Sequence, residues 1–375
     1  MTTIAPQTAQ ETAQEAAQEA AREAVGVAAG VDTHRDTHTV AVIDTTGRLL
    51  SHHTFAATSG GYAELLAWVR TFGLLLVVGI EGTGAYGAGL ARHLNAAGIT
   101  LVEVDRPDRK SRRFAGKSDP IDAEAAARAA LSGTRAGVPK ARDGHVEAVR
   151  NLRVARRSAI EQRADCIRQI KTLIITAEDT LRQTLRSLPE RVLVSTCAGL
   201  RPDRARAGEP VQATKLALRS LARRHQQLTA EIADLDEVIT PLVTAINPAL
   251  LELNGVGPDV AGQLLVTAGQ NHQRLRSEAA FAMLCGVAPI PASSGMTHRH
   301  RLNRGGDRQA NAALYRIVLC RLRWDPRTQA YMRRRTEQGL SKKDIIRCLK
   351  RLIAREIHYT LTGTKPPRRR PPQTD

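Results

Sequence analysis

Aromatic residues are scarce in this chain of 375 residues, at 3% of the composition, so its cores must be built mainly from Ala, Val, Leu and Ile. The five cysteines form no Cys-x-x-Cys pair, which argues against a zinc ribbon or a disulfide framework and fits a reducing cytosol. No run approaches the roughly 18 apolar residues that a membrane helix needs, and the N-terminus lacks a secretory signal pattern. We therefore expect a cytoplasmic protein that does not span a membrane.

Positive charge is abundant and unevenly placed. Lys and Arg number 55 against 37 Asp and Glu, a net charge of +18, and +15 of it lies in residues 296–375. A solubilising surface does not need such one-sided clustering, whereas a polyanion is attracted by it. Nucleic acid is therefore the predicted partner.

The length suggests two or three domains, and 42% apolar residues suffice for packed cores. We predict a disordered extension over 1–24, an α/β domain over 25–144, a coiled-coil helical region over 145–243, a helical domain over 244–362 and a disordered basic tail over 363–375.

Strand and helix patterns alternate in the α/β segment. Period-two or continuous apolar patterns predict strands at 25–32, 37–44, 48–56, 74–81 and 99–104. Three strands joined by hairpins, followed by β-α-β-α, predict a mixed sheet with flanking helices. Asp119 and Pro120 are typical of a helix cap and first turn.

A heptad rhythm marks the next segment. Apolar residues recur every seven positions from Ile160 to Leu188, and a 3-4 rhythm runs from Leu218 to Leu242. This predicts two long helices with coiled-coil seams, interrupted over Ala198–Pro210. The seams fit either a helical hairpin or a dimer interface, and dimerisation is slightly favoured.

Four acids carry the strongest chemical signal. Asp32 ends the first strand in GVDTH, Glu81 ends a buried strand in GIEGTG, and Asp119 and Asp122 share one helix face in KSDPIDA. Singly, each has an ordinary role as a strand end, a helix cap or a first-turn acid. Together, in an RNase H-like strand order, they predict a site for Mg²⁺ or Mn²⁺ suited to phosphodiester chemistry.

Two glycine-rich turns are weaker signals. The loop over residues 81–87 permits close approach by a phosphate but lacks the Lys-Ser/Thr of a nucleotide-binding loop. The turn containing Gly255 and Gly257 resembles a helix-hairpin-helix turn, whose backbone N–H groups hold a phosphate. An ordinary turn between packed helices explains that pattern equally well.

Ser293 and Ser294 lie in a segment that Pro289 and Pro291 keep from forming a regular helix. Basic side chains surround them and continue into a later helix; the candidate nucleic-acid contacts are Arg299, Arg301, Arg304, Arg308, Lys342, Lys343 and Arg347. A serine needs a base or nearby cations to become a nucleophile. From chemistry alone, a phosphate-contact role for the serines is the better interpretation.

These motifs, in this order, resemble bacterial transposases of the insertion-sequence-110 type. GVDTH, GIEGTG and KSDPIDA are similar to the DEDD signature of the family, and PASSG, RHRLNRGGDRQANAAL and SKKDIIRCLKR to its C-terminal domain. The resemblance spans about residues 26–362. It implies a RuvC-type RNase H-like domain over 25–144 and a transposase domain over 244–362.

The resemblance also implies roles. Asp32, Glu81, Asp119 and Asp122 would bind the metal, and Ser294, with Ser293 as the near alternative, would attack DNA and form a phosphoserine link. It implies a guide RNA that pairs with the element ends and the target DNA, and a dimer or tetramer joining the acid site of one subunit to the serine of another. Met296 stands where relatives carry a basic residue.

Three functional hypotheses follow. The first is a recombinase that moves its own insertion sequence. The second is a junction-resolving nuclease that uses only the four acids. The third is a non-catalytic coiled-coil protein that binds nucleic acid.

Overall fold

The computed structural model describes residues 26–104, 118–133, 136–296 and 300–364. The chain forms two compact units, Met1–Arg142 and Asp143–Asp375. The predicted extension over 1–24 and residues 365–375 of the predicted tail lie outside the described residues.

In the residues that the structure describes, the first unit contains a six-stranded mixed sheet and three helices. Its strands are β1 (Gly26–Thr33), β2 (Thr37–Asp44), β3 (Leu49–Ala56), β4 (Leu74–Glu81), β5 (Leu101–Val104) and β6 (Ala136–Gly137); its helices are α1 (Ser59–Arg70), α2 (Ala88–Ala96) and α3 (Asp119–Ser132). The strand order is β3-β2-β1-β4-β5-β6. β4 runs parallel to β1, whereas β2 runs antiparallel to it. This order is consistent with an RNase H-like domain, and the predicted mixed α/β sheet is confirmed.

The two faces of this sheet are built differently. Alternate residues of β1 and β4, such as Val31 and Ile80, pack with Leu65 of α1 and Leu90 of α2 in one apolar cluster. The other face carries Ala28, Gly30 and Gly79 beside the larger Ile43, and it packs against Ala127 of α3. The period of two along each strand therefore sorts side chains into a large-residue core and a face that permits close helix packing.

The predicted cap of α3 is shifted by one residue. Ser118 is the N-cap and has an extended backbone, and Asp119 is the first helical residue. Asp119 therefore stands in the first turn, where a carboxylate is favoured by the helix dipole.

The second unit is helical. Its helices are α4 (Gly144–Ile175), α5 (Asp179–Leu185), α6 (Glu190–Ala198), α7 (Pro210–Ile246), α8 (Pro258–Ala268), α9 (Glu278–Leu284), α10 (Arg308–Trp324), α11 (Pro326–Glu337) and α12 (Lys342–Thr362). Short 3-10 turns occur at Pro248–Leu250 and His272–Arg274, and the strands β7 (Ile290–Pro291) and β8 (His300–Arg301) form a small hairpin.

The prediction of one helix along the first heptad run is wrong. α4 ends at Ile175, and α5 and α6 follow as separate short helices. Helix-start signals cause these breaks: the Glu178 carboxylate accepts hydrogen bonds from the backbone N–H of Thr180 and Leu181, and Pro189 precedes α6. The predicted interruption over Ala198–Pro210 is confirmed.

The apolar seams of α4 and α7 are buried within the chain. Cys166 of α4 shares a cluster with Leu228 and Ile232 of α7, and Ile170 shares another with Leu218. The helical-hairpin alternative therefore describes these residues, and the seam does not by itself support dimerisation.

The last five helices, together with Val149 of α4 and Ile239 and Val243 of α7, enclose the largest core of the described residues. Phe281, Leu314 and Ile357 lie at its centre with no exposed surface. Within the described part of the chain, every helix is too short or too polar to cross a membrane.

Candidate functional site

The carboxylates of Asp32 and Glu81 lie at one edge of the sheet. β1 and β4 are parallel neighbours in a register that pairs Gly30 with Gly79 and Val31 with Ile80. Asp32 and Glu81 are the next residues along the two strands, and the Thr33 hydroxyl donates to the Glu81 carbonyl over 2.8 Å. Each acid stands two residues after a glycine and so faces the same side of the sheet as that glycine.

Helix α3 lies on that side, at unusually short range. A Cβ atom on Gly30 would be 2.1 Å from both the Ala123 carbonyl oxygen and the Ala127 nitrogen, and one on Gly79 would be 2.5 Å from the Ala126 oxygen. Only glycine permits this approach of helix backbone to strand backbone. The glycines therefore determine how closely the first turn of α3 lies to the strand ends.

That first turn carries the other two acids. Asp122 is buried and Asp119 is half-exposed. His34 connects Asp32 and Asp119, because its Nε2 atom lies 3.2 Å from an Asp32 carboxylate oxygen and 3.3 Å from an Asp119 carboxylate oxygen. Possible ligand atoms of Asp32, His34 and Asp119 lie within 4.8 Å of one another. His34 was not among the predicted metal ligands, although its position two residues after Asp32, at a strand end, could have indicated it.

The pKa of the Asp32 carboxyl responds to this crowding. Burial raises the pKa above its usual value, and the negative charges of Asp119 and Asp122 raise it further, while His34 acts in the opposite direction. Such a group of carboxylates is stabilised by a divalent cation, and oxygen ligands of this kind fit Mg²⁺ or Mn²⁺. Asp32, His34 and Asp119 therefore form a donor set that fits the predicted metal and that contains two of the four predicted acids.

The serines lie on a small β-hairpin in the second unit, which we name the serine hairpin (residues 290–301). Ile290 pairs with Arg301 and Pro291 with His300. Ser293 and Ser294 are both exposed in the connecting loop. Within the part of the chain that the structure describes, the Ser294 hydroxyl makes no hydrogen bond. Arg299 lies outside the described residues.

Three of the predicted arginines surround one cavity, which we name the basic pocket. Arg304, Arg308 and Arg347 line about 400 Å³ together with Lys350 and Asn311. Lys350 and Asn311 were not among the residues predicted to contact nucleic acid. The Lys350 ammonium donates to the Asn311 side-chain oxygen over 2.7 Å, and the Asn311 amide nitrogen donates to the carbonyls of residues 285 and 286.

The one carboxylate that lines the basic pocket has other partners. Asp307 caps α10 by accepting from the backbone N–H of Gln309 and Ala310, and it accepts from the Thr267 hydroxyl over 2.6 Å. Within the described residues, Arg304, Arg308 and Lys350 form no ion pair with an acid. The cavity is therefore strongly electropositive.

The turn before α8 has a different character. Gly255 has a φ of +78°, and a Cβ there would lie 3.2 Å from Cys320, so packing accounts for this glycine. At the start of the helix, the Asp259 carboxylate binds Arg153, Arg156 and Arg316 at 2.6–3.0 Å. The Asp259 carboxylate of the chain itself thus lies at the helix start, near which a phosphate was predicted to bind.

The remaining predicted contacts are dispersed. Gly257 is exposed at the N-cap of α8, and Lys342 and Lys343 are exposed at the start of α12. None of the three lines the basic pocket. Arg301 belongs to the wall of an adjoining cavity.

Comparison with known proteins adds two family matches. Residues 29–176, which include all four acids, match a family of transposases described as the DEDD transposases of IS110. Residues 247–333, which include Ser294, match the transposase family IS116/IS110/IS902. The first of these families implies a divalent metal.

A curated relative points the same way. The insertion element IS110 uncharacterized 43.6 kDa protein of Streptomyces coelicolor is 32% identical over 123 residues, which is 32% of this chain. The alignment spans 29% of the length of that relative.

Proposed function

This chain belongs to the IS110 type of DEDD transposases, and we propose that it is a DNA recombinase that cuts and rejoins DNA to move its own insertion sequence. One observation carries the proposal: Asp32 and Glu81 end adjacent parallel strands, and glycine packing holds the acidic first turn of α3 beside Asp32. A structural role does not require several carboxylates to be gathered at the ends of two neighbouring strands.

We assign the four acids to holding Mg²⁺ or Mn²⁺. Asp32 and Asp119 lie on either side of His34, which gives the site a nitrogen donor besides the carboxylate oxygens. A divalent ion bound there supplies Lewis-acid stabilisation of the charge on phosphate oxygens. The four carboxylates would hold the divalent ion, and His34 fixes the positions of two of them, Asp32 and Asp119.

We assign Ser294 as the nucleophile. Its hydroxyl oxygen forms a bond to phosphorus while the bond from phosphorus to one deoxyribose oxygen breaks; the serine proton is lost, and the departing sugar oxygen gains one. In the second step a strand hydroxyl attacks the phosphoserine, and the Ser294 oxygen leaves and is reprotonated. The exposure of the serine hairpin supports this role, because a DNA strand has access to it.

Further features of the proposal derive from the family resemblance. They are an element-encoded guide RNA and a homodimer or tetramer. The basic pocket supports nucleic acid as the partner, since a phosphodiester neutralises its uncompensated cations.

A covalent-adduct assay tests the serine assignment. The full-length protein is incubated with Mg²⁺, with DNA carrying both ends of its element, and with RNA transcribed from the region flanking the gene. We expect an SDS-resistant protein–DNA adduct that Ser294→Ala abolishes and that Ser293→Ala retains, because the proposal assigns the attack to the Ser294 hydroxyl alone. An undiminished adduct in Ser294→Ala would exclude this serine.

The same assay separates the alternatives. Cleavage that survives Ser294→Ala but not Asp32→Asn, without an adduct, identifies a metal-dependent nuclease. Metal-independent binding without cleavage, unchanged in Glu81→Gln, identifies a non-catalytic nucleic-acid-binding protein.

A further inference from the structure

A second cavity adjoins the basic pocket, and we name it the apolar pocket. It encloses about 420 Å³ and shares part of its wall, including Leu302, Arg347 and Lys350, with the basic pocket. Most of the surface that lines it is apolar, although charged side chains also contribute. The apolar contributors are Val287, Ala288, Pro289, Leu302, Tyr331 and Leu352.

The apolar pocket lies at the base of the serine hairpin. Pro289 directly precedes β7, and both residues of β8, His300 and Arg301, contribute to the wall. A ligand bound in the pocket therefore lies beside the two strands whose connecting loop contains Ser294. A volume of this size is within the range of small-molecule sites, which are about 300–1,000 Å³.

The charges of the two cavities are distributed unequally. In the apolar pocket, the Asp344 carboxylate is bound by the Arg347 guanidinium at 2.6 Å, and Arg351 is paired with Glu278. In the wall that the two cavities share, the ammonium of Lys350 has the Asn311 amide oxygen as its hydrogen-bond partner. Burial lowers the pKa of Lys350, and the nearby Arg347 charge lowers it further, so a bound anion would stabilise the charged lysine.

We propose that the two cavities together bind a single unstacked nucleotide of DNA, with its phosphate in the basic pocket and its base in the apolar pocket. This inference rests on the proposed function, which supplies DNA as the substrate. A nucleotide is the unit that joins an anionic group to a flat, largely apolar ring system. Enzymes that act within a duplex commonly hold an extruded base in such a pocket, between aromatic or apolar side chains.

The arrangement has a consequence for the proposed reaction. A nucleotide held in both cavities fixes the strand beside the serine hairpin, independently of base sequence at neighbouring positions. The pocket thus selects a distorted or unpaired strand over an intact duplex. The exposed serine gains a defined position relative to its target phosphate only when that strand is bound.

Equilibrium binding tests the inference without requiring chemistry. Full-length protein is titrated, with EDTA and no divalent ion, into labelled DNA duplexes of equal length, and anisotropy gives the affinities. One duplex is fully paired, a second has one unpaired nucleotide, and a third has an abasic sugar at the unpaired position. We expect the unpaired nucleotide to be bound at least about five-fold more tightly than the paired duplex, and the abasic sugar to lose that preference.

Two kinds of variant test whether the cavities cause the preference for the duplex with an unpaired nucleotide. Leu352→Trp, which fills the apolar pocket from a partly exposed position, should remove the preference; Ala288→Trp is a second filling variant. Lys350→Met should weaken binding of the unpaired nucleotide more than binding of the paired duplex. Lys171→Met, which removes an exposed cation on α4, should weaken both equally, and melting curves verify that each variant is folded.

Each other outcome overturns the inference. Equal affinity for the paired, unpaired and abasic duplexes excludes a base pocket, and so does an unchanged preference in both tryptophan variants. Tighter binding of an unpaired ribonucleotide in duplex RNA reassigns the cavities to RNA. If the covalent adduct forms normally while these preferences are absent, the inference fails and the proposed function stands; if no DNA is bound, both fail.

Discussion

The acid site and the serine hairpin are built by opposite means. At the acid site, backbone contacts at Gly30 and Gly79 hold a helix against two strands, and an imidazole lies between two carboxylates. The serine hairpin has strands of two residues each and exposes both serines. One site is assembled by the packing of its own unit, whereas the other leaves its two serine side chains exposed.

This difference has a physical basis. Like charges repel, so a cluster of acids persists only where many packing contacts hold its elements in place. An exposed hydroxyl requires no such packing, and under the proposed function it acquires its geometry only from the bound DNA strand. The contrast predicts that substitutions at the acid site change stability and metal binding, while those at the hairpin change only reactions with DNA.

The largest effect is expected from Asp32→Asn. Loss of one metal-binding carboxylate should lower DNA cleavage about a thousand-fold, because metal stabilisation of phosphate charge is worth several kcal/mol. Thermal stability without divalent ions should not decrease, since a repelled charge is removed. Mg²⁺ should raise the melting temperature of the parent protein but not of the variant.

Asp36→Asn serves as the matched control. Asp36 is strongly exposed in the β1–β2 turn, so cleavage and the response to Mg²⁺ should stay near those of the parent protein. Comparable losses in both variants would contradict a specific role for Asp32.

Gly30→Ala should be the most destabilising small substitution at the acid site. The new methyl group meets two backbone atoms of α3 at 2.1 Å, and the overpacking should cost about 3 kcal/mol in chemical denaturation. Gly60→Ala, in the first turn of α1 with nothing closer than 4.0 Å, should be near neutral. Equal stability of the two variants would show that α3 is not held by close packing.

His34→Gln should weaken binding of Mn²⁺ about ten-fold, because the imidazole orients two carboxylates. Isothermal titration calorimetry or electron paramagnetic resonance measures this affinity directly. An unchanged Mn²⁺ affinity would limit His34 to a charge contact with Asp32.

Ser294→Ala should leave the free energy of unfolding within about 0.5 kcal/mol of the parent value, as for other exposed positions. Denaturant titration of the protein without DNA provides the measurement. A large loss of stability would mean that the hairpin is part of the packed structure, and the contrast with the acid site would disappear.

The smallest effect concerns Asp44, an acid that serves the fold alone. A hydrogen bond from the Thr46 hydroxyl, with others from the backbone of Arg48 and Thr46, lowers its pKa to about 2. Its stabilising contribution is therefore present above pH 4 and is lost as the pH falls towards 2. Asp44→Asn should flatten the dependence of melting temperature on pH within that range; an unaltered slope would show that other acids produce it.

Much of the α/β unit was predictable from its sequence. β2 and β4 have the predicted bounds, and the ends of β1 and β3 differ by one residue, because period-two and continuous apolar patterns are local properties of a strand. The α4 break was not predicted, since the heptad rhythm continues through Leu181 and Leu188 while Glu178 and Pro189 begin new helices. Local capping signals prevailed over the longer apolar period.

At the candidate site, residue types were easier to predict than neighbours. The acids stood out because Asp32 and Glu81 lie at strand ends and Asp119 and Asp122 lie at a helix start, yet neither His34 nor Lys350 was among the predicted site residues. Both belong to a site only through contacts with residues that are distant in the sequence. His34 contacts Asp119, and Lys350 donates a hydrogen bond to Asn311. A single sequence records no such pairing.

The sequence by itself determined the alternation of the strands, the acids at their ends and the concentration of positive charge towards the C-terminus, because these depend on side-chain type and local period. Only the tertiary structure decided that Gly30 and Gly79 face α3, that the heptad seams close within the chain and that a basic pocket adjoins an apolar one. Those features depend on contacts between distant segments, where packing and charge act through space.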